Sequence, residues 1–243
     1  MRAVVVIPAR FESTRFPGKP LVDVLGKPMI LRVVEQALLA VPEVLVATDD
    51  SRIYDAVRAS GREAQMTSKN HISGTDRIGE AVQGLNLAPN DVVINVQGDE
   101  PFIAPEQIEA VLDLFQEDSV EIGTLLRRVT DPSVLDNPNT PKVVRALNGE
   151  ALYFSRSRIP FVRNADESVD HWQHVGLYAY RLRVLEKLVA LPSSPLERAE
   201  SLEQLRWLEN GYRIHCAETT GATWAVDTPE DLARVEAHFG GKA

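Results

Sequence analysis

Three cationic side chains lie close together in a short loop near the start of the chain. The loop occupies positions 8–20, reads PARFESTRFPGKP, and contains Arg10, Arg15 and Lys19. Gly18 lets the backbone approach a ligand closely, and loop amides and hydroxyls add donors. A triphosphate needs this combination of cations and close donors, although a solvated surface loop is the alternative. The spacing matches neither a Walker A loop nor GxGxxG, so P-loop ATPase and NAD dehydrogenase lose their main support.

Two aspartates follow apolar segments that are far apart in the sequence. Asp99 comes directly after the apolar run 91–96, and Asp227 directly precedes the helix-start pattern TPED. Mg²⁺ prefers oxygen ligands and keeps several waters, so one or two carboxylates plus phosphate oxygens make a site. Taken alone, Asp99 also fits a turn and Asp227 a helix start, so both interpretations stay open. Glu100 is interpreted as structural, or as a residue that supports the metal ligands without touching the ion.

Alternating strand and helix patterns in the first half of the chain must position these groups. The apolar patterns predict strands Ala3–Ile7, Val44–Ala47 and Asp91–Val96, and helices Met29–Ala40, Ile53–Ala59, Asp76–Gln83 and Pro105–Gln116. This alternation indicates an α/β fold with a Rossmann-like, doubly wound, mostly parallel sheet. Ligands of such sheets bind at the carboxyl ends of the strands, where the cationic loop begins.

The pattern changes after Glu121 to shorter elements, which indicate a smaller appended lobe. Asn148-Gly149 between two apolar segments predicts a β-hairpin with a type I′ turn. The predicted elements of this part are the hairpin strands Lys142–Leu147 and Ala151–Ser155, the strands Val175–Arg181 and Arg213–Ala217, the helix Leu196–Asn210, and a last helix capped by Thr228.

The composition narrows the classes of function. The chain has 243 residues and a formal net charge of −9, which argues against non-specific nucleic-acid binding. The single cysteine, Cys216, excludes an intramolecular disulfide, and its apolar surroundings predict a small buried thiol on a strand. The apolar run at the start is too short for a signal peptide or a membrane span. We therefore expect a soluble cytoplasmic protein without membrane insertion.

The string PARFESTRFPGKPL closely resembles the signature loop of the 3-deoxy-manno-octulosonate cytidylyltransferases, members of the sugar-nucleotidyltransferase superfamily. Further similar motifs follow in order along nearly the whole chain. They are GKPMI at Gly26–Ile30, VATDD at Val46–Asp50, SGTDRIGE at Ser73–Glu80, NVQGDEPFI at Asn95–Ile103, ALYFSR at Ala151–Arg156, HVGLYAYR at His174–Arg181, SPLERAESLEQLR at Ser194–Arg206 and VDTPEDL at Val226–Leu232.

The resemblance implies a nucleotidyltransferase-type fold whose smaller mixed β lobe serves dimerisation and sugar binding. It implies transfer of CMP from CTP to 3-deoxy-manno-octulosonate with release of pyrophosphate, Mg²⁺ dependence and a homodimer, in lipopolysaccharide precursor synthesis. It also implies one domain over 1–243. Residues 1–120 would mainly bind CTP, 121–220 would bind the acceptor sugar and form the dimer, and 221–243 would return to the metal site.

The resemblance also implies roles for residues at matching positions. Catalysis falls to Arg10, Lys19, Asp99 and Asp227, and the two aspartates would hold Mg²⁺. The implied CTP-binding residues are Ala9, Arg10, Arg15, Lys19, Ala47, Thr48, Asp49, Ser73, Gly74, Thr75, Arg77 and Gln97. The implied sugar-binding residues are Gln97, Arg156, His174, Tyr178, Glu203 and Gln204.

Several alternatives remain at this point. Ser73 also fits the N-cap of its helix, and Glu203 and Gln204 also fit a solvated helix face. Trp224 and Ala225 stand where relatives commonly have glycine, which would reshape the pocket rim. The competing functions are transfer to another acidic keto-sugar, such as an 8-amino analogue or a sialic-acid-like sugar, and a non-catalytic nucleotide-sugar sensor.

Overall fold

The computed structural model describes residues 1–12, 16–164 and 166–241. Its strands are β1 (Ala3–Ala9), β2 (Val44–Thr48), β3 (Glu63–Met66), β4 (Val92–Asn95), β5 (Ile122–Arg128), β6 (Lys142–Arg145), β7 (Ala151–Ser155), β8 (Trp172–Arg181) and β9 (His215–Glu218). Its helices are α1 (Met29–Ala40), α2 (Ser51–Ala59), α3 (Gly74–Ala81), α4 (Pro105–Asp113), α5 (Leu182–Leu188), α6 (Pro195–Glu200), α7 (Gln204–Glu209) and α8 (Pro229–Phe239). The chain forms two units, Met1–Glu109 with Ala222–Ala243, and Ala110–Gly221.

The first unit contains a parallel sheet in the order β3–β2–β1–β4. Strand β1 is almost fully buried from Val4 to Ile7, as expected for a parallel strand covered on both faces. Helix α1 buries Ile30, Val33 and Ala37, which recur at helical spacing on one face. The predicted α/β fold with a mostly parallel sheet is confirmed.

Two helices of the first unit begin at capping boxes. In α3 the Ser73 hydroxyl accepts the Asp76 N–H, and the Asp76 carboxylate accepts the Ser73 N–H. In α8 Thr228 and Asp231 form the same pair, with Pro229 in the first turn. Both helix starts agree with the sequence prediction, because a capping box is a local signal that does not depend on tertiary contacts.

The second unit contains a mixed sheet. Strand β5 pairs antiparallel with β8 and parallel with β9. Strand β6 pairs antiparallel with β7 and β8. The predicted hairpin is therefore present as β6 and β7.

The turn of this hairpin differs from the prediction. A type I′ turn requires positive φ at both central residues. Gly149 has φ 86°, but Asn148 is not among the described residues with positive φ. Instead, the Gly149 N–H donates to the Ala146 carbonyl at 3.0 Å, which closes a turn that places Asn148 before the left-handed glycine. The ladder also shifts register after Val144.

The predicted helix Leu196–Asn210 is wrong as a single element, because α6 and α7 replace it. Ser201 follows α6 with φ 50°, a left-handed conformation that a continuing helix cannot contain. The Arg156 guanidinium donates to the carbonyls of Glu200 and Ser201 at 2.6 and 3.1 Å. These hydrogen bonds come from a residue that follows β7 and is distant in the sequence, so the helical pattern of the segment could not reveal the break.

Three elements were not predicted: β3, β5 and α5. Strand β3 lies at the edge of the parallel sheet and is half-exposed, so it has no continuous apolar run.

Cys216 lies buried in β9, and burial raises the pKa of its thiol to about 12. The predicted buried thiol is thus confirmed. In the described part of the chain, no helix has the length and apolar character needed to cross a bilayer.

Candidate active site

An ammonium group lies between two carboxylates in the first unit. Lys19 Nζ is 2.8 Å from Asp99 Oδ2 and 3.0 Å from Asp227 Oδ1. The Lys19 side chain is only 13% exposed, whereas those of Asp99 and Asp227 are 30% and 40% exposed. The carboxylates are therefore open to a ligand. Three of the predicted catalytic residues, from three distant segments, meet at this point.

Gly98 allows the loop that carries Asp99 to lie directly on β1. A Cβ at Gly98 would be 3.0 Å from the carbonyl oxygen of Pro8. A Cβ at Gly74 would be 3.2 Å from Cγ of the same proline. The end of β1 therefore supports both the Asp99 loop and the first turn of α3.

We expect Gly98→Ala to destabilise the protein. The added Cβ meets a backbone oxygen that cannot rotate away, and such overpacking costs about 1–3 kcal/mol. Denaturant unfolding of the variant measures this loss in the free energy of unfolding. Gly176→Ala is the matched control, since a Cβ there meets nothing within 4 Å. Equal stability of the two variants would contradict the close approach.

Asp227 is held by the start of α8. Its backbone N–H donates to the Asp231 carboxylate at 3.1 Å, and the neighbouring Val226 N–H donates to the Asp99 carbonyl at 2.9 Å. The second bond joins the backbones of the two carboxylate-bearing segments. The relative position of Asp99 and Asp227 is therefore fixed by backbone contacts as well as by Lys19.

Lys19 follows a left-handed glycine that is hydrogen-bonded to the backbone of Phe11. Gly18 has φ 73°, and its N–H donates to the Phe11 carbonyl at 3.0 Å. The Arg52 guanidinium lies 3.3 Å from the centroid of the Phe11 ring. Arg52 is in turn held by Asp50 at 2.7 Å. Phe11, and through it Gly18, thus rests on the start of α2.

Burial and the neighbouring charges shift two pKa values at this site. Burial lowers the pKa of the Lys19 ammonium, but Asp99 and Asp227 outweigh burial, so this pKa lies above its ordinary value. Burial raises the pKa of the Glu100 carboxyl to about 7, and the charges of Asp99 and Asp227 act in the same direction. The Lys19 side chain is therefore protonated at neutral pH.

The predicted nucleotide residues lie mainly at the carboxyl ends of neighbouring parallel strands. Ala9 at the end of β1 is the register partner of Thr48 at the end of β2, and Pro8 is that of Ala47. Gln97 follows β4, and its amide donates to Asn95 at 3.2 Å. The first turn of α3 adds Gly74 and Thr75, and the packing of Gly74 on Pro8 brings this turn to the same strand ends.

Some predicted nucleotide residues are already engaged by protein groups. Arg77 is fully buried, and its guanidinium donates to Asp49 at 2.6 Å and Thr67 at 2.5 Å. The Ser73 hydroxyl caps α3, as the alternative interpretation held. The Thr48 carbonyl accepts two hydrogen bonds from Thr67. In this arrangement Arg77 positions Asp49 and the neighbouring loop.

The cations of the first loop are only partly described. Arg10 is exposed and lines a cavity of about 180 Å³ with Phe11, Glu12, Asp49, Asp50 and Lys69. The predicted cation Arg15 and the hydroxyls of Ser13 and Thr14 lie outside the described residues. The lining thus includes the cations Arg10 and Lys69 together with Asp49, whose carboxylate accepts a hydrogen bond from Arg77.

In the second unit, His174 and Tyr178 lie together in a buried aromatic cluster. Their ring centroids are 5.2 Å apart. The Thr124 hydroxyl lies 2.8 Å from the Leu177 carbonyl and 3.0 Å from His174 Nε2. Because the hydroxyl donates to the carbonyl, Nε2 donates to the hydroxyl, and His174 Nδ1 carries the lone pair. The imidazole is neutral, since burial lowers its pKa to about 3.

Several side-chain polar atoms of this unit are buried without a hydrogen-bond partner among the described residues, and two of them belong to predicted sugar-binding residues. These two are the Tyr178 hydroxyl and Nε2 of Gln204, whose residues are 7% and 5% exposed. The alternative of a solvated face is therefore wrong for Gln204. Glu203 is half-buried and 3.5 Å from Arg206. Buried polar atoms of this kind call for a ligand or water partner.

Arg156 is occupied by backbone carbonyls. Its guanidinium donates to Glu200, Pro138 and Ser201 at 2.6, 2.7 and 3.1 Å. A guanidinium has five N–H donors, so these contacts use part of its capacity. Arg156 therefore holds three backbone segments together. Its predicted contact with a sugar carboxylate stays a prediction.

We expect His174 to make the protein sensitive to acid. The ordinary histidine pKa is about 6.5, and the folded value is about 3. Below pH 6.5 the unfolded chain binds a proton that the folded chain does not, so stability falls as the pH falls. The loss is about 2 kcal/mol between pH 6.5 and 4.5. Urea unfolding of the wild type and His174→Gln at pH 7.0, 5.5 and 4.5 measures it. Parallel pH dependences would contradict the depressed pKa.

Sequence reasoning missed three contacts of these candidate sites. The Trp224 N–H donates to Glu100 Oε2 at 2.9 Å, Thr124 fixes the tautomer of His174, and Arg52 stacks on Phe11. The acidic residue directly after Asp99 was a signal for the first contact. The other two join segments whose proximity has no local signature.

Comparison with known proteins identifies the family. A cytidylyltransferase family model matches residues 4–214. The chain is 51% identical to the 3-deoxy-manno-octulosonate cytidylyltransferase of Parabacteroides distasonis, with 96% of each protein covered. It is 52% identical to the protein of the same description from Cytophaga hutchinsonii, with 96% of this chain and 95% of the relative covered. A solved CMP:2-keto-3-deoxy-manno-octonic acid synthetase complexed with CTP matches at 45% identity and TM-score 0.94, covering 100% of both chains. The resemblance of the first loop is thereby confirmed, and the chain belongs to the family of 3-deoxy-manno-octulosonate cytidylyltransferases.

Proposed function

We propose that this enzyme transfers CMP from CTP to the anomeric hydroxyl of 3-deoxy-D-manno-octulosonate and releases pyrophosphate. The observation that carries the proposal is the position of Lys19 between Asp99 and Asp227. A cation and two exposed carboxylates suit a nucleoside triphosphate and its metal ion. The relatives that are about half identical over nearly their whole length carry the name of this reaction.

The two aspartates fit a divalent cation, and we assign Mg²⁺ to them. Within residues 1–12, 16–164 and 166–241, no group of three or more His, Cys, Asp or Glu side chains could hold a metal. The chain therefore offers two carboxylates, which suffice for Mg²⁺ because it keeps waters and binds phosphate oxygens. When bound, Mg²⁺ supplies a Lewis acid that polarises the α-phosphate and lowers the pKa of the attacking hydroxyl.

The cations and the strand ends of the first unit bind CTP. Lys19 and Arg10 stabilise the negative charge that grows on the departing pyrophosphate, with Arg15 from the same loop. The cytosine is read at the ends of β1 and β2 and at the first turn of α3. The residues assigned to CTP are Ala9, Arg10, Arg15, Lys19, Ala47, Thr48, Asp49, Ser73, Gly74, Thr75, Arg77 and Gln97, with Arg77 acting through Asp49.

The acceptor sugar is recognised by hydrogen bonds from the second unit. The Tyr178 hydroxyl and Gln204 Nε2 are buried polar groups that a sugar hydroxyl would satisfy. The lone pair of His174 Nδ1 accepts a hydrogen bond from a sugar hydroxyl, and Arg156 offers its remaining donors to the sugar carboxylate. Glu203 completes the set assigned to this unit, and Gln97, of the first unit, keeps the sugar-binding role that the resemblance implies. Because a sugar that lacks a matching hydroxyl leaves these groups unpaired, they provide specificity.

Two other functions remain as outcomes of the test. A cytidylyltransferase for an 8-amino analogue or a sialic-acid-like sugar would use the same phosphate and metal residues and differ only in the acceptor groups. A nucleotide-sugar sensor would bind without turnover. The presence of Arg10, Lys19, Asp99 and Asp227 disfavours the sensor.

The decisive experiment measures pyrophosphate release from CTP and Mg²⁺. The acceptors are 3-deoxy-manno-octulosonate, sialic acid, the 8-amino analogue and a control without sugar. We expect release with the octulosonate alone and its loss in Asp99→Ala. Preference for another sugar would reassign the acceptor pocket, and silence with every acceptor would favour the sensor.

We also propose a cytoplasmic homodimer. The cytoplasm follows from the use of CTP as donor. Four apolar side chains of the second unit, Leu147, Leu152, Phe161 and Val169, are 110%, 61%, 86% and 44% exposed, and such a surface suits a second copy of the chain. Light scattering on the purified protein would show a dimer that Leu147→Glu weakens. A monomeric wild type at micromolar concentration would contradict this proposal.

A further inference from the structure

The two segments that carry Asp99 and Asp227 are joined by hydrogen bonds outside the carboxylates themselves. The Val226 N–H donates to the Asp99 carbonyl, and the Trp224 N–H donates to Glu100 Oε2, both at 2.9 Å. Glu100 is the neighbour of Asp99, so the two bonds join adjacent residues of one segment to nearby residues of the other.

An aromatic cluster holds the same two segments from the other side. It consists of Phe102, Trp224, His238 and Phe239. The Phe102 and Phe239 rings stack at 3.8 Å with an interplanar angle of 7°. Trp224 stacks on His238 at 4.2 Å and meets Phe239 edge-on at 5.2 Å. The end of α8 therefore contacts both segments, while the start of α8 holds the backbone of Asp227.

The hydrogen bonds and the aromatic cluster together oppose the electrostatic repulsion between Asp99 and Asp227. Asp99 and Asp227 carry like charges and repel each other, and Lys19 draws both toward one point. Carboxylates on loose loops would lose conformational entropy when they bind an ion together, whereas carboxylates held in place would not. The attachment of the loops therefore contributes to the affinity of the pair for a cation.

We propose that Glu100 and Trp224 are positioning residues that set the spacing of Asp99 and Asp227 for a divalent cation. The inference rests on the proposed metal site and adds two residues that do not themselves touch the ion. Glu100 acts by accepting the Trp224 N–H, and Trp224 acts by its contact with the end of α8. No third carboxylate joins the pair in a metal-binding group within the described residues, which agrees with an indirect role for Glu100.

The test measures binding of Mn²⁺ alone to the free enzyme by electron paramagnetic resonance, without nucleotide. The variants are Glu100→Ala, Glu100→Gln, Trp224→Ala and Trp224→Phe. We expect the two alanine variants to lose about 10- to 100-fold in Mn²⁺ affinity, the range found for groups that orient metal ligands. Glu100→Gln keeps an acceptor for the Trp224 N–H and Trp224→Phe keeps a ring, so both stay within about threefold of wild type.

Two controls separate the failure of this inference from failure of the metal site. Asp99→Asn must abolish Mn²⁺ binding, and Trp172→Ala, a half-buried tryptophan of the second unit, must leave it unchanged. Circular dichroism shows that each variant is folded, and the glutamine and phenylalanine variants remain informative if an alanine variant is not.

Each result decides the inference. Equal losses in Glu100→Gln and Glu100→Ala would mean that Glu100 acts through its charge, which overturns the inference. Wild-type affinity in both alanine variants would overturn it as well, while the metal site would stand. If the wild type binds no Mn²⁺ without nucleotide, the inference falls, because it assigns cation affinity to the attached pair itself. If Asp99→Asn binds Mn²⁺ normally, the metal site and the inference fall together.

Discussion

Replacing either Asp99 or Asp227 by asparagine lowers kcat for pyrophosphate release by about a thousandfold, and replacing both lowers it little further. The two carboxylates lie on one ammonium, 2.8 and 3.0 Å from Lys19 Nζ. Groups that hold one ion act as a unit, so the loss of one already removes most of the function of the other. We therefore expect strong non-additivity in this double mutant.

The measurement is kcat at saturating CTP and sugar over a range of Mg²⁺ concentrations. The single variants should require more Mg²⁺, because each leaves one carboxylate as protein ligand. Asp55→Asn, an exposed aspartate of α2, is the matched control and should behave as wild type. Losses that multiply in the double variant would show that Asp99 and Asp227 act independently, which contradicts a shared ion.

The catalytic part of the site was predictable because its signals are local and its placement follows from topology. Lys19 follows β1, and Asp99 follows β4, and these strands are parallel neighbours. The carboxyl ends of parallel strands meet at one edge of a sheet, so a cationic loop and an acidic turn at two strand ends come together. The position of Asp227 was predicted from its motif and from the helix start that follows it.

The partners of the buried charged groups were not predictable in this way. Arg77 lies in a motif that resembles a nucleotide site, but its guanidinium is buried on Asp49 and Thr67. Arg156 likewise donates three hydrogen bonds to backbone carbonyls. A sequence pattern gives the residue type and the element, but the partners of a long side chain depend on segments that are distant in the sequence. The left-handed conformation of Ser201 has the same origin, because Arg156 holds the segment that breaks the helix.

Replacing Lys19 by methionine lowers kcat by about 100- to 1000-fold, with a much smaller change in KM for CTP. We propose that the ammonium stabilises charge that grows on the departing pyrophosphate, and an interaction that strengthens toward the transition state affects kcat more than substrate binding. Methionine keeps the length of the side chain, so the loss reports the charge. Lys27→Met is the matched control, because Lys27 pairs only with Glu35 among the described residues at 2.6 Å. Unchanged turnover in Lys19→Met would refute this role, and a raised KM with normal kcat would reduce Lys19 to a ground-state contact.

The same substitution has an opposite effect on the free enzyme, and this makes the test specific. Without the ammonium, Asp99 and Asp227 face each other with no cation between them, while Val226 and α8 still hold their backbones. Their repulsion then favours any added divalent cation. We therefore expect Mn²⁺ alone to bind Lys19→Met more tightly than wild type, although turnover falls. A simple loss of structure at the site would weaken both, so weaker Mn²⁺ binding in Lys19→Met would contradict the assignment of one ammonium to two metal carboxylates.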